Sequence, residues 1–371
     1  MTELEKKYYR STFNLYNLKP RTDIYFYEKG VSLIKENGFL SFISPKNMLT
    51  VRSLSNFRKY FLTELGNISI VNILGKVFEN ANVDTMIAIF QKSKANIIKC
   101  FTLNVGNVSE IVCLKKEIFL NGDNLINFDM FKNPEISPII DKIEKSAVPL
   151  KEFIEISNGL VAYKQGNGTP VQTKEMAKER VYHSYSKVDE NWFSYLGGSD
   201  VKRYTKNWSG EFIQYGKNLG EPRRIELFNK PHIIVRVIPS QPPYCINGML
   251  IDKEIFNDQN YIVLFGKDEF DLKWILGVIN SRLISFWFEK KLGKLQRGLF
   301  PQMKAGELAE FPIPNISADQ QQTIISLVDQ ILSAKKENPS ADTRELEREI
   351  DLLVYGLYGV TEGEVEIIEN K

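Results

Sequence analysis

The sequence predicts an α/β protein in three regions: an α/β sheet, a mixed α/β domain and a C-terminal helical hairpin. In the first hundred residues, apolar positions alternate between the helical and the strand period. From about residue 150 onward, short apolar segments separated by Gly, Asn and Pro are typical of strands joined by turns. Because 371 residues exceed what one hydrophobic core usually holds, we expect domains at residues 1–144, 145–315 and 316–371.

The first region is predicted to run helix, strand, helix, and then to close with an antiparallel pair of strands. Thr22 and Asp23 can cap the first helix, and Asn37-Gly38 stops it. A short connection between residues 68–74 and 84–91 favours their antiparallel pairing. The other predicted elements are helices at 22–34, 54–65 and 139–143 and strands at 39–43, 97–105 and 110–114.

The second region is predicted to contain several short strands and one long helix, and the tail to contain two helices. Ser317-x-x-Gln320 is a capping box that opens the first helix of the tail. Asn338-Pro339 breaks this helix, and the second one ends at Gly359. Thr361-x-x-Glu364 caps a last short turn. The strands of the second region are expected at 153–156, 212–215, 233–238 and 261–265, and its helix at 273–288.

Charge is distributed unevenly, although the net charge is only +2. Residues 1–144 carry 19 basic and 15 acidic side chains, and residues 145–315 carry 24 and 19. The last region, 316–371, carries 5 and 12. The first two regions could therefore face an anion such as DNA, whereas the tail should avoid it.

Composition argues against several classes of protein. Cys100, Cys113 and Cys245 lie far apart and form no paired framework, which fits a reducing cytoplasm. Two histidines, His183 and His232, do not have the spacing of a metal site with these cysteines. The apolar runs are too short to span a membrane. We therefore expect a cytoplasmic protein without a metal site.

Several segments resemble the TaqI-type adenine-specific DNA methyltransferases and the type IIG restriction–modification enzymes. TDIYFYEKGVSLIKENGFLSFISPKNML and VNILGKVFENANVDTMIAIFQKS look like the distal part of that family's catalytic sheet. LKEFIEISNGL, YLGGSDVKRY, LQRGLFPQMKAGELAEFPIP and EIDLLVYGLYGVTEGE look like its target-recognition domain and C-terminal helices. The resemblance implies a sequence-specific DNA recognition component with double-stranded DNA as its partner.

The same resemblance implies that methyl transfer needs more than this chain. In the family, a Gly-rich turn for S-adenosylmethionine and an Asn-Pro-Pro-Tyr turn for the flipped base both precede the Asp23-Ile24-Tyr25 helix. The twenty-one residues before Thr22 hold neither motif. We expect no catalytic residue and no cofactor in this chain alone, with a second chain supplying the N-terminal half. The alternatives are an active or partner-complemented methyltransferase and a degenerate remnant that binds DNA weakly.

Two segments resemble the Asn-Pro-Pro-Tyr turn and the Gly-rich cofactor turn in sequence. Gln241-Pro242-Pro243-Tyr244 follows an apolar strand, but it comes after the Asp-Ile-Tyr helix, and Gln is one methylene longer than Asn. We interpret it as a structural turn at a strand end, with a DNA contact through Tyr244 and a catalytic role as the alternatives. The Gly-x-Gly of residues 164–169 has polar, turn-like flanks and is interpreted as a surface loop.

One aromatic residue is a candidate for stacking on a flipped adenine. The family places such a residue on the Asp-Ile-Tyr helix, and alignment on Glu28-Lys29 makes Phe26 the best match. Tyr25 and Tyr27 are alternatives, and packing in the core explains any of the three equally well.

Basic clusters with neighbouring aromatic residues are the candidates for DNA contacts. The largest cluster lies near Phe300, and its alternative interpretation is a solvated basic helix end. Glu5-x-Lys7 and Glu289-x-Lys291 fit half of a nuclease motif, but neither follows a suitable Asp on a strand. The candidates are Lys202, Arg203, Arg223, Arg224, Arg236, Arg282, Lys290, Lys291, Lys294 and Arg297.

Overall fold

A computed structural model gives the fold as two compact units. The N-terminal unit comprises Met1–Ser137 with Lys290–Gly298, and the C-terminal unit comprises Pro138–Glu289 with Leu299–Lys371. The predicted boundaries at 144 and 315 stay predictions. The structure describes residues 2–16, 21–74, 77–79, 83–104, 107–120, 124–127, 133, 135–252, 254–267, 271–292, 295 and 302–370.

A five-stranded sheet of order β1-β3-β2-β4-β5 is the centre of the N-terminal unit. β3 is antiparallel to both β1 and β2, which confirms the predicted antiparallel pair, and β2 is parallel to β4. β4 and β5 form a hairpin. The strands are β1 (Phe39–Pro45), β2 (Gly66–Ile73), β3 (Thr85–Gln91), β4 (Ile97–Asn104) and β5 (Asn107–Lys115).

Among the described residues of this unit, the helices before and between the strands are α1 (Glu3–Thr12), α2 (Thr22–Leu33) and α3 (Ser55–Glu64). The predicted cap of α2 by Thr22 and Asp23 is wrong, because the N-cap is Arg21 and no side chain caps it. Asp23 instead pairs with the Arg21 guanidinium, with 2.5 Å between Oδ2 and Nη2. This ion pair occupies the carboxylate that the sequence pattern assigned to the cap.

β1 is an edge strand with an uncovered face. Its other edge pairs with no strand in the part of the chain that the structure describes. Along β1 the side chains alternate, so that Phe39, Ser41 and Ile43 are exposed, Phe39 by 64% and Ile43 by 48%. Ile89 of β3, opposite Ser41, is exposed as well. Unpaired backbone beside apolar side chains is the usual signature of a strand that can take a partner.

Two four-stranded sheets form the C-terminal unit, with orders β14-β13-β16-β7 and β15-β9-β12-β8. The first is antiparallel throughout, and in the second β15 is parallel to β9. Small pairs β10–β11 and β17–β6 complete the strands described. The strands are β6 (Ala147–Pro149), β7 (Ile154–Asn158), β8 (His183–Ser184), β9 (Trp192–Leu196), β10 (Val201–Lys202), β11 (Thr205–Lys206), β12 (Phe212–Gln214), β13 (His232–Arg236), β14 (Gly248–Ile251), β15 (Ile255–Asn257), β16 (Tyr261–Gly266) and β17 (Pro312–Pro314).

The remaining helices follow the predicted order in most places, and the capping box at Ser317 is present with both of its hydrogen bonds. No helix in the described part of the chain is both long enough and apolar enough to cross a membrane. The helices are α4 (Ile136–Lys145), α5 (Lys174–Glu179), α6 (Ile225–Phe228), α7 (Leu272–Ile279), α8 (Arg282–Leu292), α9 (Ala305–Leu308), α10 (Ala318–Glu337), α11 (Arg344–Leu357) and α12 (Glu362–Asn370).

The predicted single helix over 273–288 is wrong, because the chain breaks between α7 and α8. Asn280 Oδ1 accepts a hydrogen bond from Gly248 N (2.8 Å), and Asn280 Nδ2 donates to Gly248 O (3.0 Å). Ser281 Oγ then accepts from the N–H of Ile284 (3.3 Å), as an N-cap does. Apolar periodicity missed the break because its cause is a hydrogen bond to a distant strand.

The predicted last short turn is a nine-residue helix, α12. Thr361 and Glu364 exchange the hydrogen bonds of the predicted cap. The helix continues because Ile368 is buried and because Glu364 also pairs with Lys142, with 2.5 Å between Oε2 and Nζ. Tertiary contacts thus extend an element that local sequence predicts to be brief.

α7 and α10 approach each other closely at Gly277. A Cβ atom at this position would lie 2.6 Å from Ile324 Cγ2 and 3.2 Å from Val328 Cγ2. We predict that Gly277→Ala lowers the free energy of unfolding by about 1–3 kcal/mol, net of the better helix propensity of alanine. Urea denaturation measures this. Gly356→Ala in α11 is the control, since no atom lies within 4 Å of its added Cβ; equal stability of the two variants would contradict the prediction.

Candidate nucleic-acid interface

α2 presents three consecutive aromatic residues to three different environments. Tyr25 is buried and stacks on Tyr9 and Phe13, with centroid distances of 4.6 and 4.8 Å. Tyr27 is buried in the core, where its hydroxyl shares a 2.8 Å hydrogen bond with Ser44 and burial raises its pKa to about 12. Phe26 is 65% exposed. Of the three candidates, therefore, Phe26 is the ring that is available for stacking.

Lys202 and Arg203 are adjacent on the chain at β10, but their side chains lie in different environments. Lys202 is exposed. The Arg203 guanidinium instead pairs with Glu347 of α11, donates to Asn280 O (3.2 Å) and lies 3.5 Å from the centroid of the Tyr244 ring. These contacts engage both terminal nitrogens and one face of the Arg203 guanidinium within the protein.

The Pro-Pro-Tyr turn packs against the C-terminal helices. Tyr244 donates its hydroxyl to Asp351 Oδ2 (2.6 Å), and burial together with the Asp351 carboxylate raises the pKa of Tyr244 to about 12. The next residue, Cys245, donates its N–H to Ser285 Oγ (2.9 Å). The tyrosine ring is thus held between Arg203 and α11. These contacts are what the interpretation as a structural turn predicts.

Arg223 and Arg224 also differ. The Arg223 guanidinium donates to Gly159 O (3.2 Å) and pairs with Glu221 (3.0 Å), and its side chain is 28% exposed. Arg224 is 70% exposed, and its guanidinium makes a 3.3 Å pair with Glu155 at the surface. Arg224 is therefore the member of this pair whose charge faces solvent.

Arg236 is the last residue of β13, just before the Pro-Pro turn. Its backbone N–H donates to Asn247 O (3.1 Å), and its side chain is half-buried. Within the described residues, its guanidinium takes part in no hydrogen bond or ion pair. A cation without an internal partner is a better candidate for a phosphate contact than one that is already paired.

The largest basic cluster of the sequence is only partly described. The backbone N–H of Arg282 donates to Asp351 Oδ1 (2.7 Å), and its Nη2 donates to Glu369 O (2.6 Å). Lys290 is buried and Lys291 half-buried, and both make contacts. Two further candidates, Lys294 and Arg297, lie outside the described residues.

The Gly-x-Gly loop of residues 164–169 does not fit S-adenosylmethionine. Its backbone amides are occupied: Gly166 N donates to Gln172 O (3.1 Å) and Thr169 N to Lys217 O (2.8 Å). No helix begins directly after it, since α5 starts at Lys174 with Thr173 as its cap. The loop interpretation agrees with this structure.

A cavity of about 370 Å³ in the C-terminal unit was missed by the sequence analysis. Arg180, His183, Tyr195, Glu211 and Asp258 line it. They are dispersed along the chain and form no motif, so only the folding of the β15-β9-β12-β8 sheet brings them together.

Comparison with known families agrees with this architecture. The model of the TaqI-like C-terminal specificity domain matches residues 193–313. The model of the Eco57I restriction-modification methylase matches residues 1–78. Both matches confirm the resemblance predicted from the sequence, and the segment that is similar to the specificity domain includes Arg203, Arg224 and Arg236.

This chain spans only part of the length of the proteins that it resembles. RM.MjaORFECS2P of Methanocaldococcus jannaschii, whose name assigns it to the type II restriction enzymes and methyltransferases, is 26% identical over 360 residues. The match covers 91% of this chain and 29% of that relative. MmeI, a type IIL restriction-modification enzyme solved in complex with DNA, has the same fold over 100% of this chain and 55% of its own, with a TM-score of 0.63 and 13% identity.

Proposed function

We propose that this chain is the DNA recognition component of a restriction-modification system. The observation that carries the proposal is the TaqI-like specificity domain at residues 193–313. The region that contains this segment also carries a positive excess, since residues 145–315 hold 24 basic and 19 acidic side chains. Duplex DNA is the partner that such a domain and such a charge favour.

Within this function, Lys202, Arg224 and Arg236 are the proposed phosphate contacts. Lys202 and Arg224 are exposed, and the Arg236 guanidinium has no internal partner among the described residues. Arg203, Arg223 and Arg282 are instead assigned to holding the domain together, because their donors are bound to the protein itself. Lys290, Lys291, Lys294 and Arg297 stay sequence-based candidates.

Fluorescence anisotropy with a labelled duplex tests the proposal. Because each neutralised phosphate releases counterions, the dissociation constant should rise steeply as salt increases, with a slope of about 0.9 per phosphate contact on logarithmic axes. A duplex that does not bind even at low salt would refute the function.

For methyl transfer we propose that this chain needs a second chain with the N-terminal half of a methyltransferase. The edge of β1 supports this proposal, because its exposed Phe39 and Ile43 lie beside unpaired backbone. In that complex, Phe26 would stack on the flipped adenine, and S-adenosylmethionine would supply the methyl group.

We predict that the chain alone shows no saturable binding of labelled S-adenosylmethionine in equilibrium dialysis. The physical reason is that its one Gly-x-Gly loop has its amides bonded internally. Addition of a chain with the N-terminal half should produce saturable binding. Micromolar affinity of the isolated chain for S-adenosylmethionine would contradict the prediction. Phe39→Lys places a charge beside the edge of β1, and it should therefore weaken the effect of the added chain on S-adenosylmethionine binding.

A further inference from the structure

The cavity in the C-terminal unit has polar walls that belong to different strands. His183 begins β8, Tyr195 lies on β9, and Glu211 immediately precedes β12. Arg180, Asp258 and Gln259 also belong to this polar lining. The volume of about 370 Å³ is within the range of sites for small organic ligands.

Arg180 fixes the hydrogen-bonding state of the histidine. Its Nη2 donates to Glu211 Oε1 (2.5 Å) and lies 3.0 Å from His183 Nδ1. Nδ1 also lies 3.2 Å from Glu211 Oε1, but its contact with Arg180 is the one that has hydrogen-bond geometry. Because a guanidinium can only donate, this geometry makes Nδ1 the acceptor and places the proton of the neutral ring on Nε2. Burial, aided by the Arg180 charge, lowers the pKa of His183 to about 4, so the ring is neutral at pH 7. His183 therefore offers one N–H donor, at Nε2.

Two buried side chains of the wall keep unused polar atoms. Glu211 is 7% exposed and Tyr195 is 4% exposed. Glu211 Oε1 is taken by Arg180, whereas within the described residues neither Glu211 Oε2 nor the Tyr195 hydroxyl has a hydrogen-bond partner. Because no protein group occupies them, both atoms are suited to a ligand that enters the cavity.

The charge and the rings of the wall narrow the class of ligand. Two carboxylates, Glu211 and Asp258, outnumber the single guanidinium of Arg180, which disfavours an anion such as phosphate. Tyr163 adds an aromatic surface to the wall; its ring centroid is 5.6 Å from that of Tyr182 and 5.6 Å from that of His183. A planar, uncharged ring can stack on such a surface.

We propose that this cavity binds the Watson–Crick edge of a nucleobase. That edge carries a donor next to an acceptor, which complements Glu211 Oε2 and His183 Nε2–H, while the Tyr195 hydroxyl can serve either role. The base is either part of a free nucleoside or an unpaired base of DNA. If the base belongs to DNA, the proposal rests on the proposed function and adds to it a pocket that contributes to specificity.

Saturation-transfer NMR with the full chain and free nucleosides is the first arm of the test. Adenosine and uridine are compared with N6,N6-dimethyladenosine and 3-methyluridine, in which methyl groups block the donor of the edge. We expect at least one parent nucleoside to bind about tenfold more tightly than its methylated form. The second arm compares duplexes with one unpaired adenine or one unpaired N6,N6-dimethyladenine, again with an expected difference of about tenfold.

Variants assign the effect to the cavity. Glu211→Gln and Tyr195→Phe should each remove most of the preference for the unmethylated edge. Glu190→Gln and Tyr185→Phe, at exposed positions that do not line the cavity, should leave it unchanged. If Glu211→Gln fails to fold, the preference for the unmethylated edge is compared between the unmodified chain and Tyr195→Phe, which lacks only one hydroxyl.

The two arms separate the sources of the base. A preference for free nucleosides alone assigns a free ligand, and a preference for the unpaired DNA base assigns a specificity pocket; each supports the proposal. Absence of a preference in both arms, or a preference that both cavity variants retain, overturns it. Failure of any duplex to bind would refute the proposed function instead, and the nucleoside arm would still decide the cavity.

Discussion

Replacement of Asp351 by alanine is expected to lower the free energy of unfolding by about 2–4 kcal/mol. The Asp351 side chain is 1% exposed and accepts from the Arg282 N–H at 2.7 Å and from the Tyr244 hydroxyl at 2.6 Å. Its loss leaves both donors, which are half-buried, without an acceptor. It also removes the carboxylate that holds the Pro-Pro-Tyr turn against α11. Urea denaturation followed by circular dichroism measures the change.

Two further variants show whether this reason is correct. Asp351→Asn keeps one acceptor oxygen and should lose clearly less stability than the alanine variant. Asp342→Ala removes an exposed carboxylate that pairs with Arg344, and exposed pairs contribute at most about 1 kcal/mol. If Asp351→Ala is no less stable than Asp342→Ala, the network around Tyr244 does not hold the turn.

Joint replacement of Lys202, Arg224 and Arg236 by alanine is expected to weaken binding of duplex DNA by about 10- to 100-fold at moderate salt. If each side chain contacts one phosphate, the logarithmic salt slope should fall by about 2–3. The loss should be similar for all duplex sequences, because phosphate contacts position a protein without reading bases. Anisotropy titrations at several salt concentrations measure both quantities.

Arg344→Ala is the matched control for this experiment. Its side chain is 89% exposed on α11, in the acidic tail, and pairs with Asp342. It should leave affinity and salt slope unchanged. An unchanged salt slope for the triple variant would show that these three cations are only solvated. The remaining candidates for phosphate contacts would then be Lys291, Lys294 and Arg297.

Sequence patterns predicted those features whose cause lies within a few residues. The antiparallel partner of β2 and the capping box at Ser317 are examples, since a short connection and a four-residue motif determine them. The break at Asn280 escaped prediction because the side chain bonds to Gly248, thirty-two positions away along the chain. Hydrophobic period carries no information on such a partner.

The candidate contacts illustrate the same limit. Lys202 and Arg203 are neighbours with the same charge, yet one is exposed and the other is bound to Glu347. Composition cannot distinguish them, because the difference comes from a helix that follows more than a hundred residues later. The cavity residues Tyr195 and Glu211 were missed for a related reason: neither belongs to a motif, and only the sheet brings them to one wall.

The acidic tail has a consequence for how the chain meets DNA. Glu347 on α11 pairs with the Arg203 guanidinium from within the same unit, and the backbone oxygen of Glu369 on α12 accepts from the Arg282 guanidinium. The Glu347 carboxylate acts as an internal counterion that competes with phosphate for Arg203. We therefore expect Glu347→Gln to release this cation, to strengthen attraction to every DNA sequence alike, and so to reduce discrimination between the target and other sites.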